Sequence, residues 1–321
     1  MKRESAVLGV ILGLASASLM AAEQSPKTIF YGQLGLSAGW QDGQDFDVGA
    51  YDARFGLKGL IDLGDIKVKY VGEVQHVTAA KHTDGELLEI REAKAVVISD
   101  FGMLALAGAG ESNTYADLYA PVDIQEINSG TPHSHDGLFQ QSQFAKSILA
   151  YITPQWHGLQ LKTAVITLTN DTGSDSDVLR LGAVYRKSGL KIAANVLKTS
   201  EQHLGREQDY FRYAFMGEYR WGKVTLASLV EVNQDSPVGD STVYAAAAKY
   251  FVGNWEYRLS QQYKDWQGDY DNQSISAAAV HYHFSPHFSV FTEGALYSKP
   301  VINKSGYTSD SNLNFGMMIR F

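Results

Sequence analysis

Phe30-Tyr31-Gly32-Gln33-Leu34-Gly35-Leu36-Ser37-Ala38-Gly39-Trp40 is the stretch on which the fold turns. Taken with a period of two, Phe30, Leu34, Leu36, Ala38 and Trp40 fall on one face, and Tyr31, Gln33, Gly35 and Ser37 on the other. That alternation is a β-strand with one apolar and one wettable face. At ~3.3 Å per residue the segment covers ~33 Å, and a tilt near ~40° projects it to ~25 Å. The projection matches the apolar height of a β-barrel in a bacterial outer membrane, with an aromatic residue at each edge.

The same pattern continues outward from this segment. Tyr51, Ala53, Phe55 and Leu57 alternate with Asp52, Arg54, Gly56 and Lys58. A tight turn at Asp62-Leu63-Gly64-Asp65 leads into Ile66, Val68, Tyr70 and Val74, set against Lys67, Lys69, Glu73 and Gln75. Further on, Leu179, Leu181, Ala183 and Tyr185 oppose Arg180 and Arg186. Phe211, Tyr213, Phe215 and Tyr219 oppose Arg212, Glu218 and Arg220, and Val224, Leu226 and Val230 oppose Thr225 and Glu231. At the end of the chain Leu313, Phe315, Met317, Ile319 and Phe321 oppose Asn314 and Arg320. Short turns around Pro154–Gly158, Lys187–Gly189, Trp221-Gly222, Phe251–Asn254 and Ser285–His287 alternate with polar loops around Thr169–Asp177, Thr199–Asp209, Asn233–Ser241, Lys264–Gln273 and Ser298–Ser311. About sixteen segments result, the even number that single-chain bacterial barrels use. Glu89–Ile98, Ser147–Thr153 and Phe288–Tyr297 do not sort into one register.

Composition narrows the function. Hydrophobic residues make up 45% of the chain while the mean hydropathy is −0.19, so apolar residues are present but interleaved. Lys2 and Arg3, the apolar run Ala6–Ala15 and the small residues up to Ala22 read as a cleavable secretory signal peptide over 1–22, too short an apolar run to span a bilayer as a helix. The rest, 23–321, reads as one barrel domain. The chain has no cysteine, which excludes thiol catalysis, thiolate metal sites and disulfides. A net charge of −8 argues against a nucleic-acid partner. Alternation alone fits a soluble all-β sandwich as well as a membrane barrel, and it does not say which face is inside.

Four stretches separate these readings by their resemblance to the general (trimeric) Gram-negative porins. They are Arg54-Phe55-Gly56-Leu57-Lys58-Gly59 with Asp62-Leu63-Gly64 and Tyr70-Val71-Gly72-Glu73, then Asp100 to Gly108, then Ser147 to Pro154 with Trp156 and Gly158, and last Phe315 to Phe321. The resemblance runs from the first strand to the last residue. It implies an all-β fold, a 16-stranded antiparallel transmembrane β-barrel whose long third loop, 108–142, folds inward as a constriction. It implies a homotrimer surrounded by outer-membrane lipid and lipopolysaccharide and inserted by the barrel-assembly machinery, with Phe321 as the assembly signal. The constriction would carry Glu111, Asp117, Asp123 and Glu126 on the loop, facing a basic wall of Arg54, Lys58, Lys69, Arg180, Arg212 and Arg220. The family usually places an Arg after the glycine that begins this loop. Here Ala109 stands there, so the basic wall is thinned and a weak preference for cations is expected.

Other constellations read as structural. His133 and His135 lie in the third loop with Asp136 as the nearest carboxylate, which is polar loop chemistry and no metal site. Gly239-Asp240-Ser241 begins like a serine-hydrolase motif but lacks the strand-to-helix context, and is assigned to a turn. His281 and His283 flank Tyr282 near a rim and are expected at the membrane interface. No catalytic residues, metal or cofactor are expected. The expected function is passive diffusion of small hydrophilic solutes and ions through a water-filled pore, against two alternatives: an outer-membrane barrel enzyme of phospholipase or protease type, or a soluble periplasmic binding domain.

Overall fold

The computed structural model describes residues 26–76, 88–128, 138–167, 177–268, 270–299, 301–302 and 308–321. The signal-peptide segment 1–22, His133, His135 and Asp136 lie outside them.

Sixteen antiparallel strands close into a barrel. They are β1 (Lys27–Gln41), β2 (Asp47–Asp62), β3 (Lys67–His76), β4 (Leu88–Ser99), β5 (Gly102–Glu111), β6 (Phe144–Ile152), β7 (Leu159–Ile166) and β8 (Val178–Lys187). The second half comprises β9 (Leu190–Thr199), β10 (Tyr210–Trp221), β11 (Val224–Gln234), β12 (Ser241–Val252), β13 (Trp255–Trp266), β14 (Gln273–Ser285), β15 (Phe288–Tyr297) and β16 (Asn312–Arg320). Neighbours in sequence pair throughout, and β1 closes the ring on β16 in the register Gln33↔Arg320 to Gln41↔Asn312. Closure leaves no open sheet edge, which is the condition for strands to cross a bilayer. Among the described residues no helix is long and apolar enough to cross. A two-stranded ribbon, Val301–Ile302 with Thr308–Ser309, sits in the connection before β16.

The expected outward rows are outward. Phe55, Leu181, Phe215, Leu226, Leu259 and Phe315 are all exposed on the barrel exterior. Aromatics gather at the ends of the strands: Phe30, Phe101, Trp156, Trp221 and Phe321 toward the short-turn end, and Trp40, Tyr244 and Tyr263 toward the other. These are the two interfacial girdles of a membrane barrel. The short turns use local chemistry. Gly64, at φ +85, takes a backbone conformation that side chains avoid, and its N–H donates to Asp62 Oδ1 at 3.0 Å.

A bulge accounts for one of the three unsorted segments, Glu89–Ile98, and another for the one residue, Tyr51, that the alternation places on the wrong face. On β2 the register passes from Gly35↔Asp52 to Leu36↔Ala50, so Tyr51 is the extra residue. It turns into the barrel, where its ring meets that of Phe291 edge-on at 5.8 Å, rather than outward with Ala53 and Phe55. On β4 the register skips Arg91, and on β5 it skips Gly108. In β6 Ser147 has φ +52, and in β15 the inward row Ser289, Phe291, Glu293 and Ala295 mixes polar residues with an aromatic and an alanine, so residue type does not mark its face.

Candidate functional site

β5 runs on to Glu111 and β6 begins at Phe144, so the third loop is 112–143 and Glu111 belongs to a strand. Ala109, Gly110 and Glu111 continue to pair with Lys146, Ala145 and Phe144 of β6 in an unbroken register, the bulge at Gly108 being against β4.

The loop folds into the barrel and lies flat against one wall. One turn of π-helix, Tyr115–Tyr119, starts it. Leu118, Tyr119, Val122, Ile124, Leu138 and Phe139 are buried on an apolar inner surface formed by residues such as Val184, Ala214, Met216, Leu229, Val243, Ala245 and Ile275. This is a hydrophobic core inside a barrel whose outside also faces an apolar medium. Removal of these side chains from water drives docking.

Polar groups fix the position of the docked loop. Asp117, almost fully buried, receives Lys162 Nζ of β7 on Oδ2 at 2.5 Å and Arg186 Nη2 of β8 on Oδ1 at 2.8 Å. The hydroxyl of Tyr119 donates to Glu231 Oε2 of β11 at 2.5 Å, and the Gln140 amide donates to Oε1 of the same carboxylate at 2.8 Å. Burial, and then the adjacent Glu231 charge, hold the Tyr119 hydroxyl well above its ordinary range, so it remains a donor. Arg212 of β10 donates to the Gln140 carbonyl at 2.5 Å and to Gln141 Oε1 at 2.6 Å. Arg258 of β13 donates to the Ile124 carbonyl at 2.6 Å and pairs with Glu126 at 3.0 Å and Glu256 at 2.8 Å. The buried carboxylate of Glu293 on β15 accepts from the backbone N–H groups of Glu126, Ile127 and Asn128 at 2.7, 3.1 and 2.7 Å. Three converging amides satisfy a buried anion without a cation. Asn128 reaches on to Asn312 of β16.

The loop thus spans the wall from β7 to β16, and β1–β4 face it across the lumen. Between Ile127 and Asn128 on one side and β1, β2 and β16 on the other lies a cavity of about 210 Å³. Its lining includes Asp45, Asp47, Tyr51, Tyr297, Asn312 and Asn314 and contains no Lys or Arg.

This arrangement redistributes the expected site residues. Arg54, Lys58 and Lys69 stand on the facing wall: Arg54 lies 3.7 Å from Asp52, Lys58 sits 4.6 Å above the Tyr31 ring, and Lys69 is exposed. Arg220 is exposed at the short-turn end of β10. Arg180 and Arg212, expected on the open wall, are instead covered by the loop. Asp117 is buried in ion pairs rather than presented to the passage, Asp123 is buried and accepts from Tyr115 at 3.2 Å, and Glu126 is half-buried. His281 and His283 are inside the barrel and not at the membrane interface. His281 is buried against Phe291 and His283 pairs with Glu256 at 3.0 Å. Gly239, at φ +107, and Asp240, accepting from Ser236 N at 3.1 Å, form the expected turn.

Sequence reasoning missed Lys162, Arg186, Glu231, Arg258 and Glu293, the residues that hold the loop. The available signal was the loop's own density of apolar residues, matched by strands such as β12, where Val243, Ala245 and Ala247 leave both faces apolar. Among the described residues no group of three or more His, Asp or Glu side chains is placed to hold a metal ion.

Known proteins of this architecture agree. The anion-selective porin from Comamonas acidovorans superposes with a TM-score of 0.76 at 15% identity over 92% of this chain and 100% of its own. Salmonella typhi OmpF, in complex with daunomycin, gives 0.73 at 16% identity over 92% and 98%. OmpT of Vibrio cholerae in its trimer form gives 0.70 at 16% over 93% and 99%. At these identities the likeness concerns the fold. No curated protein sequence matches the chain. The family model described as Gram-negative porin matches residues 6–299. A match over that span, on a barrel that closes with its third loop inside, makes this chain a member of the Gram-negative porin family, an outer-membrane porin channel.

Proposed function

We propose that the chain is a non-catalytic, water-filled channel for passive diffusion of small hydrophilic solutes and ions, assembled as a homotrimer in outer-membrane lipid and lipopolysaccharide and inserted by the barrel-assembly machinery. The observation that carries this reading is the loop pinned to the wall from β7 to β16, which leaves the polar face of β1–β4 to line a passage. Barrels of this strand number are wide enough to keep an aqueous channel. The Vibrio cholerae OmpT structure is of a trimer form, which supports the oligomeric part of the proposal.

The preference among ions is weakly cationic, but its source differs from the one expected. Asp117 is neutralised by two cations and contributes little to the passage. Asp45 and Asp47, on a cavity free of Lys and Arg, attract cations at its mouth, and Glu126 adds to them. Lys58 and Lys69 on the facing wall oppose this attraction and keep the preference small. The test is addition of detergent-purified protein to a planar bilayer. Stepwise conductance increments are expected. Absence of steps, together with turnover of lipid or peptide by the same preparation, would replace the pore with a barrel enzyme.

A further inference from the structure

The buried carboxylate of Glu293 holds more than the backbone of the docked loop. It also accepts from Nδ2 of Asn128 at 2.8 Å. That contact fixes which way the Asn128 amide points, because only its NH2 end can face a carboxylate. Asn128 Oδ1 accepts in turn from Asn312 Nδ2 at 2.7 Å and from the Tyr297 hydroxyl at 3.1 Å. Asn312 Oδ1 accepts from Asn314 Nδ2 at 2.8 Å. This relay of three carboxamides ends at Asn314 Oδ1, an acceptor of fixed orientation with no hydrogen-bond partner among the described residues.

Asn314 lines the cavity of about 210 Å³ between the loop and β1, β2 and β16. In the sheet it pairs with Gly39, whose partner on the other side is Asp47. Glycine at 39 leaves the Asn314 carboxamide room to lie over β1. In the next row Ser37 stands beside Gly49, so small residues keep this side of the cavity open. Ser37 Oγ, the Gln44 amide and the Asp45 carboxylate also line it, and none of them bonds to another described side chain. Ile127 and Tyr51 add apolar surface. The nearest basic residues along β1, β2 and β16 are Arg54 and Arg320, which flank Gln33, four residues or ~13 Å down β1 from Ser37.

We propose that this cavity is a subsite for an uncharged, polyhydroxylated solute of one ring, a neutral monosaccharide, held as it enters the passage. The inference rests on the pore reading and adds the class of solute to it. A sugar hydroxyl both donates and accepts, so neighbouring hydroxyls can give to Asn314 Oδ1 and Asp45 and take from Gln44 and Ser37, while C–H groups of the ring meet Ile127 and Tyr51. An anionic solute meets Asp45 and Asp47 with no cation to receive it. A bare cation would use the carboxylates and leave the amide donor and the apolar surface without a role. The volume is below the ~300–1,000 Å³ of pockets for drug-sized ligands, which suits one ring and not a chain of them.

The test is the single-channel current of the purified porin in a planar bilayer at fixed salt, with glucose added. Glucose is expected to reduce the current in part and saturably, with a half-maximum near ~10 mM, the weak affinity of a site that must also release. Viscosity alone would lower the current in proportion to concentration. Glucose 6-phosphate should give no saturable effect. Asn314→Leu, which keeps the volume and removes the acceptor, should raise the half-maximum about tenfold. Crystals of the unmodified protein soaked in glucose should show the ring beside Asn314 and Ser37, a readout that stands even if the variant fails to fold. A conducting channel that glucose does not block, a half-maximum unchanged in Asn314→Leu, a stronger block by glucose 6-phosphate, or a block by cationic glucosamine alone would each overturn the subsite and leave the pore standing. Absence of conductance before sugar is added would overturn the pore reading and the subsite with it.

Discussion

The terminal Phe321 lays its ring over Gly32, and the two residues exchange backbone hydrogen bonds at 3.0 and 3.1 Å. The last residue of the chain thereby closes the barrel against its first strand on the short-turn side, and only a glycine opposite leaves room for the ring.

Deletion of Phe321 should therefore lower the amount of heat-resistant assembled porin in the outer membrane, and Gly32→Val, which takes the ring's place, should do the same in part. Semi-native electrophoresis of outer-membrane fractions reads both. Unchanged assembly in the deletion would separate the ring from barrel closure.

The two faces of β10 give a second prediction. Phe215 is outward, so Phe215→Arg should cost ~2–4 kcal/mol near the bilayer midplane. Its neighbour Ala214 is inward, yet it is buried in the cluster beneath the loop rather than wetted. Ala214→Arg should consequently cost as much, ~3 kcal/mol, by forcing a charge into packed apolar surroundings. Lys58→Ala, at an exposed luminal position, should stay within ~0.5 kcal/mol. Denaturant unfolding in lipid vesicles compares the three. A harmless Ala214→Arg would mean that the loop does not rest there.

These positions also show what was legible in the sequence. Phe215, Phe55 and the row from Leu34 to Trp40 were readable because one face meets lipid along the whole strand, and lipid tolerates few exceptions. The inner face has two environments. Lys58 meets water, whereas Ala214, Met216 and Val243 meet the loop, and period-two alternation carries no mark of where the loop lies. Tyr51 was misplaced because a bulge moves a side chain across the sheet with no signature in residue type. Asp117 and Glu126 were found as loop acids, but their partners Lys162, Arg186 and Arg258 lie many residues away in sequence and depend on the loop's path.

Pinning of the loop should be measurable one contact at a time. Asp117→Asn removes the charge that pairs with buried Lys162 and with Arg186, and should cost about 3 kcal/mol, the usual result of breaking a buried pair from one side. Tyr119→Phe leaves Glu231 one donor short and should cost about 1–3 kcal/mol. In both variants the loop should become cleavable by added protease while the barrel stays intact. Loops as resistant as the parent's would argue that the apolar contacts alone hold it.

The most direct test of the account is the zero-current potential of the purified porin in a planar bilayer across a salt gradient. At low salt the Debye length is about 10 Å at 0.1 M, so charges on the cavity walls act on every passing ion. The parent is expected to show a small cation preference. Asp45→Asn with Asp47→Asn should move the potential toward anions, and the difference should shrink at 1 M salt, where screening falls to about 3 Å. An anion-preferring parent, or a double variant with the parent's potential at low salt, would contradict it.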